Sequence, residues 1–128
     1  MTVPVTLIKI VMPGQANARG TLFGGVALAM MDEAAAIVAL RHARGSVVTA
    51  HVESVDFKAP IYQGEAAEVT ARLASVGRTS MKIHLEMWGE NLATGERRFC
   101  TTADFVFVAM DADGKPMPVP PMPPAAST

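Results

Sequence analysis

One apolar segment constrains the fold of this chain most: residues 22–40, which two adjacent carboxylates, Asp32 and Glu33, interrupt near the centre. Two acidic side chains in the middle of a membrane span would be costly, so a buried helix in a water-soluble fold is the better interpretation. Alanine, the strongest helix former, is frequent here, which predicts a helix over residues 26–40. Since this helix is apolar on nearly every side, we expect a sheet to wrap it and bury most of its circumference.

The remainder of the chain predicts strands. Residues 3–11 predict a short first strand, which the turn Met12-Pro13-Gly14 ends. After the helix, which we expect Gly45 to stop, the hydrophobic period changes to two, typical of strands. The predicted strands are residues 47–57, 67–73, 81–88 and 97–110, with residues 89–95 as the turn before the last one. This order predicts an α+β fold with an antiparallel sheet curled round one helix.

Length and composition set further limits. A chain of 128 residues predicts a single domain, residues 1–114, followed by a proline-rich tail, residues 115–128, which we expect not to join a ladder because proline lacks the donor. A net charge of −1 argues against nucleic acid or an anionic membrane surface as partner. One cysteine, Cys100, offers neither an internal disulfide nor a zinc site, and the N-terminus shows no secretory signal, which favours the cytoplasm.

Asp32 is the most conspicuous candidate for chemistry, because a buried carboxylate is costly unless it is paired, hydrogen-bonded or used. The alternatives are that it faces a solvent-filled crevice, or that it pairs with Arg41 or Arg44. Glu33 points about 100° away on a helix, so the two acids do not form a facing pair. A lone helix also covers only one face of a sheet, so we expect the chain to associate with itself.

The helix start is the second candidate. Gly24 and Gly25 let a ligand approach the backbone, whose free N–H groups can stabilise a developing oxyanion, although a simple entry turn explains them equally well. Gly25 and Asp32 share one stripe of the helix, roughly 10 Å apart along its axis. Asn17 lies in the preceding polar loop, where asparagine commonly satisfies backbone groups of a turn.

Other residues offer less. The segment Gly77-Arg78-Thr79-Ser80 is most simply a hairpin turn, but it supplies a guanidinium, hydroxyls and backbone donors suited to phosphate. The three histidines, His42, His51 and His84, fall at the helix end and in strands, and no serine elbow motif occurs. Cys100 lies within a strand and is interpreted as a small packing residue.

The ordered motifs together resemble a known family. Asn17 to Gly25, Met31-Asp32-Glu33-Ala34-Ala35, Val48-Thr49, Phe57-Lys58-Ala59-Pro60 and Gly77 to Met81 look like the acyl-CoA thioesterases of the hotdog fold. The likeness is greatest to the bacterial acyl-CoA hydrolases of the YciA type and to the cytosolic hydrolases with two tandem hotdog domains. The fold that the resemblance implies, a long helix wrapped by an antiparallel sheet, agrees with the prediction made from hydrophobic period alone.

The resemblance implies hydrolysis of an acyl-CoA to a free acid and CoA without a metal or redox cofactor. It places the catalytic aspartate at Asp32 and an asparagine that orients water or the carbonyl at Asn17. Since the family's site lies at a dimer interface, the two residues are expected to meet across subunits of a homo-oligomer, in a dimer and further in a trimer of dimers. The thioester carbonyl would accept hydrogen bonds from the N–H of Gly25 and of Gly24. The CoA moiety would contact Lys58, Arg78, Thr79 and Ser80.

Two other functions compete with hydrolysis. Hotdog dehydratases place a histidine near the helix start, where this chain has none. A non-catalytic acyl-CoA-binding module would hold the same ligand without cleaving it, but the presence of both Asn17 and Asp32 favours the enzyme. One departure from the family pattern is Asp104, in the last strand, where relatives tend to be apolar. The sequence leaves two roles for Asp32 open, general base and nucleophile.

Overall fold

A computed structural model describes residues 3–123 and confirms the predicted α+β architecture. Its elements are β1 (Val5–Ile10), a short 3-10 turn (Pro13–Gln15), α1 (Gly24–Ala43), β2 (Val47–Phe57), β3 (Ala66–Val76), β4 (Ser80–Glu90) and β5 (Arg97–Ala109). All strand pairs are antiparallel, in the order β1-β3-β4-β5-β2. The chain therefore leaves β1 and β2 as the two edges of the sheet. No helix among residues 3–123 has the length and apolarity to cross a bilayer.

The core lies between α1 and the inward face of the sheet. Alternation along β4 sends Met81, Ile83, Leu85 and Met87 inward, and all four are fully buried. On the opposite side of the core, α1 buries one stripe that consists of Ala27, Met30, Met31, Ala34, Ala35, Val38 and Ala39. The small alanines let the helix backbone approach the sheet closely, while the methionines and the phenylalanines of β5 fill the remaining volume.

In a single chain, α1 is buried on one side only, which differs from the prediction that most of its circumference is covered. A second stripe, which we call the open stripe, comprises Gly25, Ala29, Asp32, Ala36 and Leu40, each half-buried or exposed. Leu40 is 45% exposed although it is a large apolar side chain. The hydrophobic pattern thus correctly indicates that this stripe is mainly apolar, but the sheet of the same chain does not cover it.

Three local predictions differ from the structure. Helix α1 begins at Gly24, two residues earlier than predicted, and Arg44 rather than Gly45 adopts the left-handed C-cap conformation, with φ 56°. Gly89 lies inside β4 and not in a turn. A Cβ at Gly89 would come within 3.1 Å of the Ile61 side chain, so this glycine permits close packing within the sheet. The turn that follows is closed by Asn91 N–H donating to the Glu96 carbonyl.

Within residues 115–123 the proline-rich tail pairs with the end of β5 and with the turn at Arg78, so the prediction that it cannot form ladder hydrogen bonds is wrong there, and residues 124–128 lie outside the described part of the chain. Met117 N–H donates to the Ala109 carbonyl and Val119 N–H to the Arg78 carbonyl, each at 2.9 Å. In an extended chain, alternate N–H groups point to the same side. Pro116, Pro118 and Pro120 occupy every second position, so they remove donors only on the side that faces away from these two carbonyls. Beyond these bonds, His42 Nε2 lies 2.8 Å from the Pro120 carbonyl oxygen.

Replacing Val119 with proline should lower the free energy of unfolding by about 1 kcal/mol, because it removes the hydrogen bond to the Arg78 carbonyl. Urea denaturation followed by circular dichroism measures this change. The matched control is Pro118→Ala, which leaves both tail hydrogen bonds in place. Equal losses in the two variants would show that the bond at Val119 contributes nothing specific.

Candidate active site

A groove beside the middle of α1 holds the most conspicuous sequence candidate. It has a volume of about 420 Å³ and lies between the open stripe of α1 and the edge strand β2. We call it the Asp32 groove, and its lining residues are Gly25, Leu28, Ala29, Asp32, Thr49, Val52, Val55 and Phe105. Its walls are mainly aliphatic, and Asp32 is the one acidic side chain among them.

Asp32 is half-buried, and its nearest polar partner is a hydroxyl rather than a cation. Thr49 Oγ1 donates a hydrogen bond of 2.7 Å to Asp32 Oδ1. Within residues 3–123 Asp32 forms no ion pair, so the alternative of a salt bridge with Arg41 or Arg44 is wrong, whereas that of a carboxylate facing a crevice is right. One carboxylate oxygen is thus oriented by Thr49, and the second is available to a molecule in the groove.

The start of α1 presents unused backbone donors. Phe23 occupies the N-cap position and supplies no side-chain cap, and the first helical bond is from Ala27 N–H to the Phe23 carbonyl. In the part of the chain that the structure describes, the N–H groups of Gly24, Gly25 and Val26 therefore have no protein acceptor. A Cβ at Gly25 would meet no atom within 4 Å, so a ligand can approach this backbone freely.

Asn17 holds its own loop together. Its Oδ1 accepts from Arg19 N–H at 2.9 Å and from Thr21 N–H at 3.1 Å, while its Nδ2 donates to Thr21 Oγ1 at 2.8 Å. Gly20, with φ 76°, completes the turn by donating to the Asn17 carbonyl. This is the backbone-satisfying role that asparagine commonly plays in turns, and Asn17 lines neither of the grooves beside α1. In one chain, Asn17 and Asp32 therefore do not share a cavity.

A second segment, residues 61–65, holds the Asn17 loop in place through hydrogen bonds. Leu22 N–H donates to the Ile61 carbonyl, and Gln63 N–H donates to the Gly20 carbonyl. Arg98 pairs with Glu65 at the end of this second segment, and the hydrogen bond raises the pKa of the Arg98 guanidinium above its ordinary value. Because both sides of the loop are hydrogen-bonded, the approach to the helix start is well defined.

A second groove, of about 320 Å³, lies on the other side of the helix start. We call it the Lys58 groove; it is lined by Thr21, Leu22, Gly24, Ala27, Phe57, Lys58, Ala59, Pro60, Ile61, Met87 and Thr101. Lys58 is exposed and pairs with Asp56 at 3.0 Å. Gly24 and Gly25 therefore separate the two grooves, one glycine lining each.

The segment of residues 77–80 forms the predicted hairpin turn between β3 and β4. Gly77 N–H donates to the Ser80 carbonyl at 2.9 Å, and a Cβ at Gly77 would lie 2.7 Å from Ser80 Oγ, so a larger residue here would force the Ser80 side chain to move. Arg78 is exposed at the tip. The sheet register places Ser80 level with Val108, and Val108 level with Val48 of β2, so this turn lies at the end of the sheet nearest Thr49.

Other candidates are accounted for by packing or surface contacts. Cys100 is fully buried, its thiol lies 3.2 Å from the Arg98 carbonyl oxygen, and burial raises the pKa of the thiol, which confirms a packing role. His84 and Asp104 contact each other at 3.0 Å on the outer face of the sheet, which gives the unexpected acid a partner. No histidine lines either groove, and no cluster of metal-ligating side chains occurs within residues 3–123.

Comparison with known proteins decides the family. The sequence profile described as the thioesterase superfamily matches residues 19–96, which is more than half of the chain. The chain belongs to the thioesterase superfamily. This thioesterase is 40% identical over 119 residues to the acyl-CoA thioester hydrolase YciA of Salmonella typhimurium, and the match covers 91% of this chain and 90% of the relative. The resemblance proposed from the motifs is confirmed, and so is thioester hydrolysis as the activity class.

Solved structures agree with this assignment. A hexameric acyl-CoA thioesterase in its apo form superposes with a TM-score of 0.92 at 41% identity, covering 96% of this chain and 79% of that chain. The acyl-CoA hydrolase of Staphylococcus aureus, solved with butyryl coenzyme A, gives a TM-score of 0.89 at 33% identity, covering 97% and 76%. The hotdog fold expected from the motifs is thereby confirmed.

The Staphylococcus aureus hydrolase has also been solved as three alanine variants, of an asparagine, an aspartate and a threonine. In that chain the aspartate follows the asparagine by 15 residues, and the threonine follows the aspartate by 17. Asn17, Asp32 and Thr49 have the same two spacings in this thioesterase. The motif Val48-Thr49 contains this threonine but assigns it no role, which only its hydrogen bond to Asp32 reveals.

Proposed function

We propose that this thioesterase hydrolyses acyl-CoA esters and that Asp32 performs the central chemical step. The observation that supports this proposal is the environment of Asp32: a carboxylate in an aliphatic groove, with one oxygen held by Thr49 and no ion pair to any of residues 3–123. A carboxylate in such a position can take a proton from water or attack a carbonyl. The relatives are named acyl-CoA thioester hydrolases, which favours CoA thioesters as the substrates.

The chemistry has two parts that a single subunit does not bring together. Stabilising the oxyanion requires donors within about 3 Å of the thioester oxygen, and the free N–H groups are at the start of α1. Asp32 lies seven residues farther along the same helix than Gly25, roughly 10 Å at 1.5 Å per residue. The donors and the carboxylate therefore lie at different positions along α1, one at its start and one near its middle. We therefore propose that the donors of one subunit act with Asp32 and Thr49 of another.

The exposed surface beside the Asp32 groove supports such a pairing. In the part of the chain that the structure describes, strand β2 is an edge that pairs with β5 alone, and Val48 and Val52 on it are 45% and 43% exposed. A long apolar edge strand is a ready template for pairing with another chain. We propose that two copies associate through β2 and the open stripe of α1, so that a dimer is the smallest active unit. Hexameric relatives favour a trimer of such dimers.

The proposed reaction uses only groups of the protein and water. In one route Asp32 accepts a proton from water, whose oxygen attacks the thioester carbon, and the oxyanion accepts hydrogen bonds from the N–H of Gly25 and Gly24. The C–S bond then breaks and Asp32 returns the proton to the departing thiolate. In the other route Asp32 attacks the carbon and the C–S bond breaks to release CoA as the thiolate. Water then hydrolyses the mixed anhydride to the free acid, which regenerates the Asp32 carboxylate and supplies the proton that the thiolate takes up. Asn17 would orient the water or carbonyl, and neither route requires a cofactor.

Contacts with the CoA moiety are proposed at two places. Lys58 stands exposed at the mouth of the Lys58 groove and can approach a phosphate. The exposed turn at Arg78, with Thr79 and Ser80 beside it, offers a guanidinium and two hydroxyls to the same class of ligand. The expected location, given one unpaired buried thiol and bacterial relatives, is the cytoplasm.

A panel of CoA esters from acetyl to palmitoyl tests the proposal. Purified protein should release free thiol from at least one ester at a rate a hundredfold or more above the uncatalysed reaction, measured with a thiol reagent. Buried Cys100 should add little background. Binding of the esters by folded protein without release of thiol would overturn hydrolysis and support a non-catalytic acyl-CoA-binding module.

A further inference from the structure

Thr101 is the buried polar residue that the proposed mechanism does not use. It is 3% exposed, and it is the only polar member of the buried set among residues 3–123. Its side chain lines the Lys58 groove, and its hydroxyl makes no hydrogen bond with the described residues. By contrast the hydroxyl of its neighbour Thr102, on the outer face of the sheet, donates to the Leu85 carbonyl. No side-chain nitrogen or oxygen among these residues is both fully buried and without a hydrogen-bond partner, so the Thr101 hydroxyl faces the open space of the groove, where a water or a ligand can bind it.

The position of Thr101 places it at the inner end of the groove. The register sets Thr101 opposite Phe57 on β2 and opposite Met87 on β4. The Phe57 ring lies 3.6 Å from where a Cβ of Gly24 would be, so ring, helix start and Thr101 are successive neighbours. Lys58 stands exposed at the mouth, whereas Met87, Ile61 and Ala27 near Thr101 are at most 4% exposed.

The decrease in solvent exposure from Lys58 to Thr101 indicates how the substrate is oriented in the groove, provided that the proposed function holds. With the thioester at the helix start and the CoA phosphates toward Lys58, the acyl group extends inward to Thr101. An unsubstituted acyl chain would remove water from the Thr101 hydroxyl and return no hydrogen bond. An acyl chain that carries an oxygen near the thioester would replace the hydrogen bond between the Thr101 hydroxyl and water. Sites with a polar group placed for a substrate oxygen discriminate against analogues that lack it.

We infer that Thr101 is a specificity-determining residue and that the Lys58 groove selects short acyl-CoAs that carry an oxygen on the third carbon, as 3-hydroxyacyl and 3-oxoacyl esters do. The hydroxyl of threonine can both donate and accept, so it serves either class.

Two CoA esters of equal chain length test the inference: butanoyl-CoA and 3-hydroxybutanoyl-CoA. The native protein should hydrolyse the hydroxy ester with a kcat/KM about tenfold higher, the effect of one neutral hydrogen bond. Thr101→Val, which has nearly the same shape, should reduce the ratio to about one, and Thr101→Ser should restore most of it. Thr102→Val, on the outer face, is the matched control and should retain the native ratio. The same ratio in native protein and Thr101→Val would overturn the inference.

Binding separates this inference from the proposed function. Calorimetric titration of Asp32→Asn with the two esters reports selection by the groove without turnover. Tighter binding of the hydroxy ester to Asp32→Asn, and the loss of this preference in the double variant with Thr101→Val, would support the inference. If the native protein cleaved neither ester, that result would overturn hydrolysis but not the role of Thr101 in binding. Hydrolysis of both esters with equal binding would overturn the role of Thr101 and leave the hydrolase intact.

Discussion

Replacing Asp32 with asparagine should lower kcat for acyl-CoA hydrolysis about a thousandfold while the protein stays folded. General base catalysis by a positioned side chain contributes 10²–10⁴-fold, and an amide can neither take a proton from water nor attack a carbonyl effectively. The amide oxygen can still accept the hydrogen bond from Thr49, so the local structure should persist. Thiol release at saturating butanoyl-CoA measures kcat, and a thermal melt confirms folding.

Glu33→Gln is the matched control for this variant. It makes the same change of charge on the adjacent residue of the same helix, but Glu33 is exposed and lies outside the Asp32 groove. We expect Glu33→Gln to retain activity within a factor of about two, in line with an exposed surface substitution. An Asp32→Asn enzyme with nearly native kcat, or equal losses in both variants, would remove Asp32 from the mechanism.

Much of the fold could be predicted because each element follows from a local property of the sequence. The alanine-rich run predicts α1. The hydrophobic period of two residues predicts β2, and both ends of that strand are predicted correctly. Errors occur where tertiary contacts outweigh local preference. Glycine commonly marks a turn, so the sequence predicts a turn at Gly89, yet Gly89 lies in β4, where the absence of a side chain leaves room for Ile61. Arg44 takes the left-handed cap next to a glycine that could have done so.

The candidate site was only partly predictable for a related reason. Asp32 stands out in the sequence because a carboxylate interrupts an apolar helix. Thr49 does not, because its importance arises from a contact with Asp32 across 17 residues of chain, which only the packing of β2 against α1 creates. Thr101 likewise looks like any threonine in a strand until its burial and its place in the Lys58 groove are known.

The prediction that two subunits share each site has an equally large expected effect. Asn17→Asp retains the Oδ1 acceptor that closes the loop and removes the Nδ2 donor, so it should inactivate without unfolding. Alone, Asn17→Asp and Asp32→Asn should each be nearly inactive. Mixed by refolding together, they should regain about a quarter of native activity, because in a two-fold dimer half of the random pairs are mixed and one of their two sites is native.

The size of this recovery distinguishes a shared site from a site within one subunit. If Asn17 and Asp32 of the same chain acted together, every subunit in the mixture would carry one defect, and the specific activity would stay at the average of the two variants. If they act across the interface, a mixed dimer places native Asn17 of one chain against native Asp32 of the other. The second outcome is favoured because within one chain the Asn17 side chain is bonded inside its own loop and does not line the Asp32 groove.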